Sequence, residues 1–164
     1  MVNGGEPDQF RRDLDEAQDA GAVGCTVHVG RANMTYEEGL DHLGKLVEIA
    51  KTLPFPVNFE THRGRLLYDP LSTARYLQAL PDLWLVADFS HWTVVTESLL
   101  GGFGPALELA ISRTRHIHTR VGHEEGPQVP DPRVQQWKGH VDAFEAIWDR
   151  IKVALEKRGA KVLT

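Results

Sequence analysis

Four side chains of the kinds that bind metal ions recur along this sequence at nearly equal intervals. They are His28, Glu60, Asp88 and His118, and the gaps between them are 32, 28 and 30 residues. One strand–helix repeat of a parallel α/β protein takes about 30 residues. The spacing therefore predicts that successive repeats bring carboxylates and imidazoles to one end of a parallel sheet, where together they could bind a divalent cation.

The sequence between these positions predicts strands and helices in alternation. Short apolar runs predict strands at 22–29, 57–60, 83–88, 116–120 and 161–164. Apolar residues at helical spacing predict helices at 8–20, 35–50, 69–80, 93–111 and 137–155, the fourth broken by the two glycines at 101–102. Strands that alternate with helices in this way indicate an α/β fold with a parallel sheet.

A doubly wound sheet and a closed barrel both fit this alternation, and the polar residues distinguish them. A dinucleotide-binding sheet needs a glycine-rich turn after its first strand, and Gly-Arg-Ala-Asn at 30–33 is not such a turn. Alternate residues of 58–62 and of 116–120 are polar, which places the polar groups of each strand on one face. Polar groups that converge at strand ends are typical of an active site in a (β/α) barrel of the TIM type.

Each of these residues also has a structural explanation when it is taken alone. A single histidine such as His28 is more often a hydrogen-bonding residue than a metal ligand. Glu60 could form an ion pair with Arg63 or Arg65, and Asp88 could cap the helix that follows it. We favour the metal site because one spacing explains all four positions.

Composition restricts the kinds of partner. Hydrophobic residues make up 41% of the chain and charged residues 25%, as in ordinary soluble domains. The formal net charge of -5 argues against a nucleic-acid surface. Cys25 is the single cysteine, so no disulfide can form within the chain. With neither a secretory signal nor an apolar run of about 20 residues, we expect a cytoplasmic protein without a membrane partner.

Three blocks of the sequence resemble a known family. They are Glu-Thr-His-Arg-Gly-Arg at 60–65, Asp-Phe-Ser-His-Trp at 88–92 and His-Ile-His-Thr-Arg-Val-Gly at 116–122. They look like blocks of the bacterial sugar phosphate isomerase/epimerase proteins, members of the xylose-isomerase-like TIM-barrel superfamily, to which the abasic-site endonucleases are related. The loop Gly-Pro-Gln-Val-Pro-Asp-Pro at 126–132 is similar to a loop of one branch, and the resemblance extends over about 21–164.

The resemblance implies a role for each position. Glu60, Asp88 and His118 would bind a metal ion, and Glu60 would also transfer protons. His91 would be catalytic and would contact substrate hydroxyl groups or a second metal ion. The residues that the resemblance implies to bind substrate are His28, His62, Arg63, His116 and Arg120.

Such a ligand set suits proton-transfer chemistry on sugars. Two carboxylates and one imidazole favour Mn²⁺ or Mg²⁺, with Zn²⁺ or Co²⁺ as alternatives. A divalent cation polarises a carbonyl and stabilises the enediolate formed when the neighbouring carbon loses a proton. A carboxylate can move that proton. The resemblance thus implies an isomerase or epimerase whose small-molecule partner is a sugar or a sugar phosphate.

The chain is shorter than the barrels that it resembles. A full barrel has eight strands in about 250 residues, whereas five strands are predicted here. A fourth ligand of the family, a glutamate, would lie beyond Thr164. We therefore expect residues 1–164 to be a single partial barrel with an N-terminal helical segment at 1–20, a fragment inactive on its own. Open sheet edges could join copies of it into a homo-oligomer.

Two other functions stay open at this point. A phosphodiesterase like the abasic-site endonucleases would need Asp-x-His after the fourth predicted strand. The nearest match, Asp131-Pro132-Arg133, lacks that histidine. A non-catalytic binding domain derived from the barrel would keep the fold and lose the chemistry.

Overall fold

Five parallel strands form one sheet in the structure, a computed structural model that describes residues 1–160. The strands are β1 (Val2–Gly4), β2 (Cys25–Val29), β3 (Val57–Glu60), β4 (Leu85–Ala87) and β5 (Thr114–Ile117). They lie side by side in chain order, and each neighbouring pair is parallel. The predicted α/β fold with parallel strands is confirmed and is consistent with part of a (β/α) barrel, although the described sheet is not closed. The strand predicted at 161–164 lies outside the described residues.

Six helices connect and flank the strands. They are α1 (Pro7–Asp19), α2 (Tyr36–Lys51), α3 (Pro70–Ala79), α4 (Ser90–Thr96), α5 (Gly104–Ser112) and α6 (Lys138–Lys157), with short 3₁₀ turns at Gly101–Phe103 and Gln135–Trp137. Among residues 1–160, no single helix is both long and apolar enough to cross a membrane. Only 90–96 and 101–112 taken together meet that criterion, and these two segments are bent by 98° at their break.

Two side-chain caps fix where helices begin. The Thr35 hydroxyl accepts a hydrogen bond from the Glu38 amide, and the Glu38 carboxylate accepts one from the Thr35 amide at 2.9 Å, which completes the predicted capping box. The Asp69 carboxylate accepts hydrogen bonds from the amides of Leu71 and Ser72 at 2.8 and 3.0 Å. These caps fix the first turns of α2 and α3, the helices that follow β2 and β3 along the chain.

The sheet has one apolar face and one polar face. In β2, Val27 and Val29 are fully buried in the core, while Thr26 and His28 on the other face are partly exposed. Apolar side chains of the flanking helices, among them Phe10, Leu43, Leu77, Phe144 and Ile151, complete the same core. The polar face is therefore the one that can carry a binding site, because the apolar face is covered by helices.

The predicted elements do not include strand β1. The prediction of an N-terminal helical segment at 1–20 is therefore wrong for residues 2–4, which form this strand. A three-residue strand is too short to show alternation, and β1 is defined by its pairing with Val27–Val29. Glycine at position 4 permits that pairing. The Cβ atom of any other residue would lie only 3.0 Å from the carbonyl oxygen of His28, which is too close. The His42 ring also lies 3.0 Å from the Gly4 carbonyl and ties α2 to this strand.

Strand β5 occupies 114–117 rather than the predicted 116–120. The His118 amide still donates to the Ala87 carbonyl of β4 at 3.1 Å, but the Arg120 amide turns back to the His118 carbonyl at 2.9 Å. This turn takes the chain out of the sheet directly after His118. His118 and Arg120 consequently lie at the mouth of the sheet rather than within a strand.

Candidate metal centre

The four equally spaced residues meet at the carboxyl ends of neighbouring strands. His28 lies in β2, Glu60 is the last residue of β3, Asp88 follows β4 directly, and His118 follows β5 directly. Hydrogen bonds between neighbouring strands hold these residues at one level. The Thr61 hydroxyl, for example, accepts a hydrogen bond from the Asp88 amide at 2.9 Å. The convergence predicted from the 30-residue spacing is therefore present in the structure.

Glu60, Asp88 and His118 form a compact group in which each side chain offers one ligand atom, and these atoms lie within 4.8 Å of one another. His118 Nδ1 is 3.5 Å from Glu60 Oε1 and 3.7 Å from Asp88 Oδ2. Glu60 is only 3% exposed and Asp88 only 2%. Two carboxylates this deeply buried and this close together require positive charge beside them.

An unpaired oxygen shows that the protein side chains alone do not satisfy this group. Glu60 Oε2 is buried and has no hydrogen-bond partner among the described residues, and the same is true of His28 Nε2. These two atoms lie 3.1 Å apart without forming a good hydrogen bond. A buried acceptor without a partner costs about 1–3 kcal/mol. A divalent cation bound by the Glu60 carboxylate would offset its unsatisfied charge, so the residues fit a metal ion.

A second group shares one member with the first. His28, Glu60 and His62 each offer a ligand atom, and these atoms also lie within 4.8 Å of one another. The His62 ring packs between two other imidazoles, with its centroid 4.4 Å from that of His28 and 3.8 Å from that of His91. Glu60 is therefore a member of both groups of possible ligands.

The two carboxylates are ionised because their cationic neighbours outweigh their burial. Burial by itself would raise the pKa of Glu60, but His118 and then His28 lower it below its ordinary value. Burial would also raise the pKa of Asp88, but the neighbouring His118, the hydrogen bond from Ser90 and the charge of Arg120 lower it below its ordinary value. Asp88 and Glu60 in turn raise the pKa of His118 to about 9. In the metal-free protein, an imidazolium therefore lies where a cation would be needed.

Arg120 supplies a second positive charge to Asp88. Its Nη2 atom donates to Asp88 Oδ2 at 2.5 Å and lies 2.6 Å from His91 Nε2. Ser90 donates to the other oxygen, Oδ1, at 2.5 Å and accepts from Arg120 Nε at 3.1 Å. Each Asp88 oxygen thereby accepts one hydrogen bond, and the two bonds hold the carboxylate in one orientation.

His91 is a neutral imidazole in this network. Burial lowers its pKa to about 4, against an opposing effect of Asp88. Because Nε2 accepts from Arg120, the ring proton resides on Nδ1. Nδ1 is buried and has no hydrogen-bond partner among residues 1–160. His91 therefore has one donor available for a bound molecule.

The remaining residues assigned to substrate lie at the edge of this cluster. Arg63 is exposed, and its carbonyl oxygen lies 2.6 Å from His62 Nδ1. His116 is exposed, its ring centroid is 5.5 Å from that of His118, and it belongs to neither group of ligands. The structure therefore draws His28, His62 and Arg120 into the cluster and leaves Arg63 and His116 outside its centre.

Two residues of the site escaped the sequence analysis. Thr61 positions the Asp88 backbone, and Ser90 orients its carboxylate. A hydroxyl residue two positions after an aspartate is a common local hydrogen-bonding pattern, so Asp88-Phe89-Ser90 carried a weak signal. Thr61 carried none, because its contact is with a residue 27 positions away.

The sequence matches no model of a known protein family and no curated protein. The resemblance to sugar phosphate isomerases and epimerases consequently stays a prediction. The case for a metal centre rests on the burial, charges and distances of Glu60, Asp88 and His118.

The ion pairs of His118 predict a specific pH dependence for the metal-free protein. A histidine whose pKa rises from 6.5 to about 9 on folding stabilises the fold fully below pH 6.5, and this contribution is lost as the pH rises through about 9. We expect the free energy of unfolding, measured by urea denaturation with a chelator present, to fall across this window. His118→Gln removes that fall, whereas the matched control His116→Gln keeps it. An unchanged slope in His118→Gln contradicts the ion pairs.

Proposed function

We propose that this protein is a divalent-metal-dependent isomerase or epimerase acting on a sugar or sugar phosphate, with Glu60, Asp88 and His118 as the metal ligands. The observation that carries the proposal is the convergence of two buried carboxylates and an imidazole at the carboxyl ends of parallel strands, with one Glu60 oxygen unpaired. Catalytic groups of parallel α/β barrels are found at this end of the sheet. The resemblance of blocks 60–65, 88–92 and 116–122 to isomerases agrees with it.

A bound Mn²⁺ or Mg²⁺ would polarise the substrate carbonyl and so acidify the neighbouring C–H bond. Glu60 is the base in this proposal, since its lowered pKa keeps it ionised at neutral pH and Oε2 has no protein partner. Oε2 takes the proton from carbon, the C–H electron pair forms a carbon–carbon double bond, and the carbonyl π pair moves to its oxygen. Returning that proton to the former carbonyl carbon, while the neighbouring hydroxyl gives its proton to the new oxyanion, gives isomerisation. Protonation of the original carbon on its opposite face gives epimerisation, in which a second acid supplies the proton and Glu60 keeps the one that it removed.

His91 and its neighbours would position the substrate. The Nδ1–H of His91 has no protein acceptor and would donate to a sugar oxygen. Its Nε2 is held by Arg120, so the ring cannot turn without breaking that hydrogen bond. His62, whose ring packs against that of His91 at an angle of 47°, limits the position of the His91 ring further. His28 and the more exposed Arg63 and His116 would contact the parts of the substrate nearer to solvent.

A second candidate function is supported by the group His28, Glu60 and His62. Because Glu60 belongs to both groups, the site could hold two cations bridged by one carboxylate. Paired cations about 3.5–4 Å apart suit the hydrolysis of phosphodiesters. The net charge of -5 makes a nucleic-acid substrate unfavourable, so a small phosphodiester would be the substrate.

Proton exchange tests the proposed reaction without knowledge of the physiological sugar. We expect the Mn²⁺-loaded protein to exchange deuterium from solvent into the carbon beside the carbonyl of at least one member of a panel of aldoses, ketoses and their phosphates, monitored by NMR. Glu60→Gln should abolish exchange, and Glu108→Gln, a change at an exposed carboxylate on α5, should not. Metal binding without exchange by any member would reject the isomerase. Binding of two Mn²⁺ ions with hydrolysis of a phosphodiester would favour the second candidate.

Arg120 and a metal ion should compete for Asp88. The guanidinium donates to the Asp88 oxygen nearest to His118 and places a positive charge next to the ligand group. We expect Arg120→Gln to bind Mn²⁺ about tenfold more tightly in calorimetry, because one cationic competitor is removed. Arg133→Gln, at an exposed arginine paired with Asp131, is the control. Weaker binding by Arg120→Gln than by wild type would show that Arg120 supports the ligands instead.

A further inference from the structure

A cavity of about 870 Å³ lies at the opposite end of the strands from the metal ligands. Its wall includes Cys25 and Pro56 at the starts of β2 and β3, Trp84 before β4, Arg115 in β5, and Leu155 and Arg158 in and after α6. Glu60, Asp88 and His118 do not line it. A volume of this size is within the range of small-molecule sites, about 300–1,000 Å³.

Asn58 gives this cavity a buried polar group without a protein partner. It lies in β3, two residues before Glu60, and it is 7% exposed. Its Oδ1 atom is buried and accepts no hydrogen bond from residues 1–160. Buried amide oxygens nearly always accept a hydrogen bond. A molecule bound in the cavity could supply the donor that Asn58 Oδ1 lacks.

Two arginines bring positive charge to the same cavity. The Arg115 guanidinium stacks on the Trp84 ring, 3.8 Å from its centroid, and that of Arg158 lies 5.4 Å from the same centroid. Arg158 donates to the carbonyls of Ser112 and Thr114. Arg115 makes no hydrogen bond or ion pair within residues 1–160. Stacking occupies the face of its guanidinium and leaves the N–H groups at its edge available for an oxyanion.

Arg115 is exposed, and no carboxylate of residues 1–160 forms an ion pair with it. Burial, and after it repulsion from Arg158, lowers the pKa of Arg115, and Asp82 opposes this shift. The Asp82 carboxylate is already paired with Lys51 at 2.9 Å. A negatively charged group in the cavity would relieve the repulsion between the two arginines.

We propose that this cavity binds a small organic anion that carries a hydroxyl group beside a carboxylate or phosphate. The oxyanion accepts hydrogen bonds from Arg115, and the hydroxyl donates to Asn58 Oδ1. The apolar wall formed by Pro56 and Leu155 covers the carbon part of the ligand. None of the metal ligands lines this site, although His116, whose ring is 5.5 Å from that of His118, does. The proposal does not depend on the proposed isomerase activity.

Glycolate and acetate are matched probes, because both carry a carboxylate and only glycolate carries a hydroxyl group. The full chain, freed of metal with a chelator, is titrated with each probe while the indole N–H signal of Trp84, assigned with Trp84→Phe, is followed by NMR. We expect a saturable shift with glycolate and binding of acetate that is several-fold weaker. Arg115→Gln should weaken both by at least about tenfold, and Asn58→Leu should remove the preference for glycolate.

Two variants show where the probe binds. Arg133→Gln removes an exposed arginine elsewhere, and Glu60→Gln alters the metal centre, so neither should change glycolate binding. The proposal is overturned if glycolate gives no saturable shift, if Arg115→Gln binds as wild type does, or if Glu60→Gln abolishes binding. Inorganic phosphate that saturates the same Trp84 shift and displaces glycolate would extend the site to phosphate esters, whereas equal binding of acetate and glycolate would reject the role of Asn58.

Discussion

Two ionised carboxylates lie buried beside each other at the mouth of the sheet, and most other features of the site compensate for that arrangement. Glu60 and Asp88 are each almost inaccessible, so water cannot stabilise their charges. In the metal-free protein, His118 and Arg120 provide the opposing charge, and Ser90 provides a hydrogen bond. Even so, one Glu60 oxygen has no partner. A divalent cation completes what these neighbours leave unsatisfied, and this is why we interpret the cluster as a metal centre.

The parallel sheet makes this arrangement possible. Strands that run in one direction end at one edge, so side chains 28–32 residues apart in sequence become neighbours in space. The apolar face of the sheet, represented by Val27 and Val29, is fully buried against the helices and fixes the register of the strands. The opposite face is then free to carry polar groups, with Glu60 at the carboxyl end of β3 and Asn58 nearer to the other end.

Much of this could be predicted from the sequence, because it depends on local patterns that repeat. Short apolar runs identify β3 and β4, the 30-residue spacing identifies the convergence of His28, Glu60, Asp88 and His118, and the Thr35 capping box identifies the start of α2. Strand β1 could not be predicted, since three residues show no period and their conformation comes from pairing with β2. The pairing of Arg120 with Asp88 was missed for a related reason: it joins residues 32 positions apart through side-chain geometry. The stacking of Arg115 on Trp84 also depends on tertiary contact alone.

The metal centre is most directly tested by locating Mn²⁺ in crystals of the protein equilibrated with that ion, using anomalous scattering. We expect one strong anomalous peak in contact with Glu60, Asp88 and His118. The Arg120 guanidinium should no longer contact Asp88. A second peak between Glu60, His28 and His62 would mark the two-metal form. Peaks confined to exposed carboxylates, with Arg120 and His118 still paired to Asp88, would contradict the metal centre.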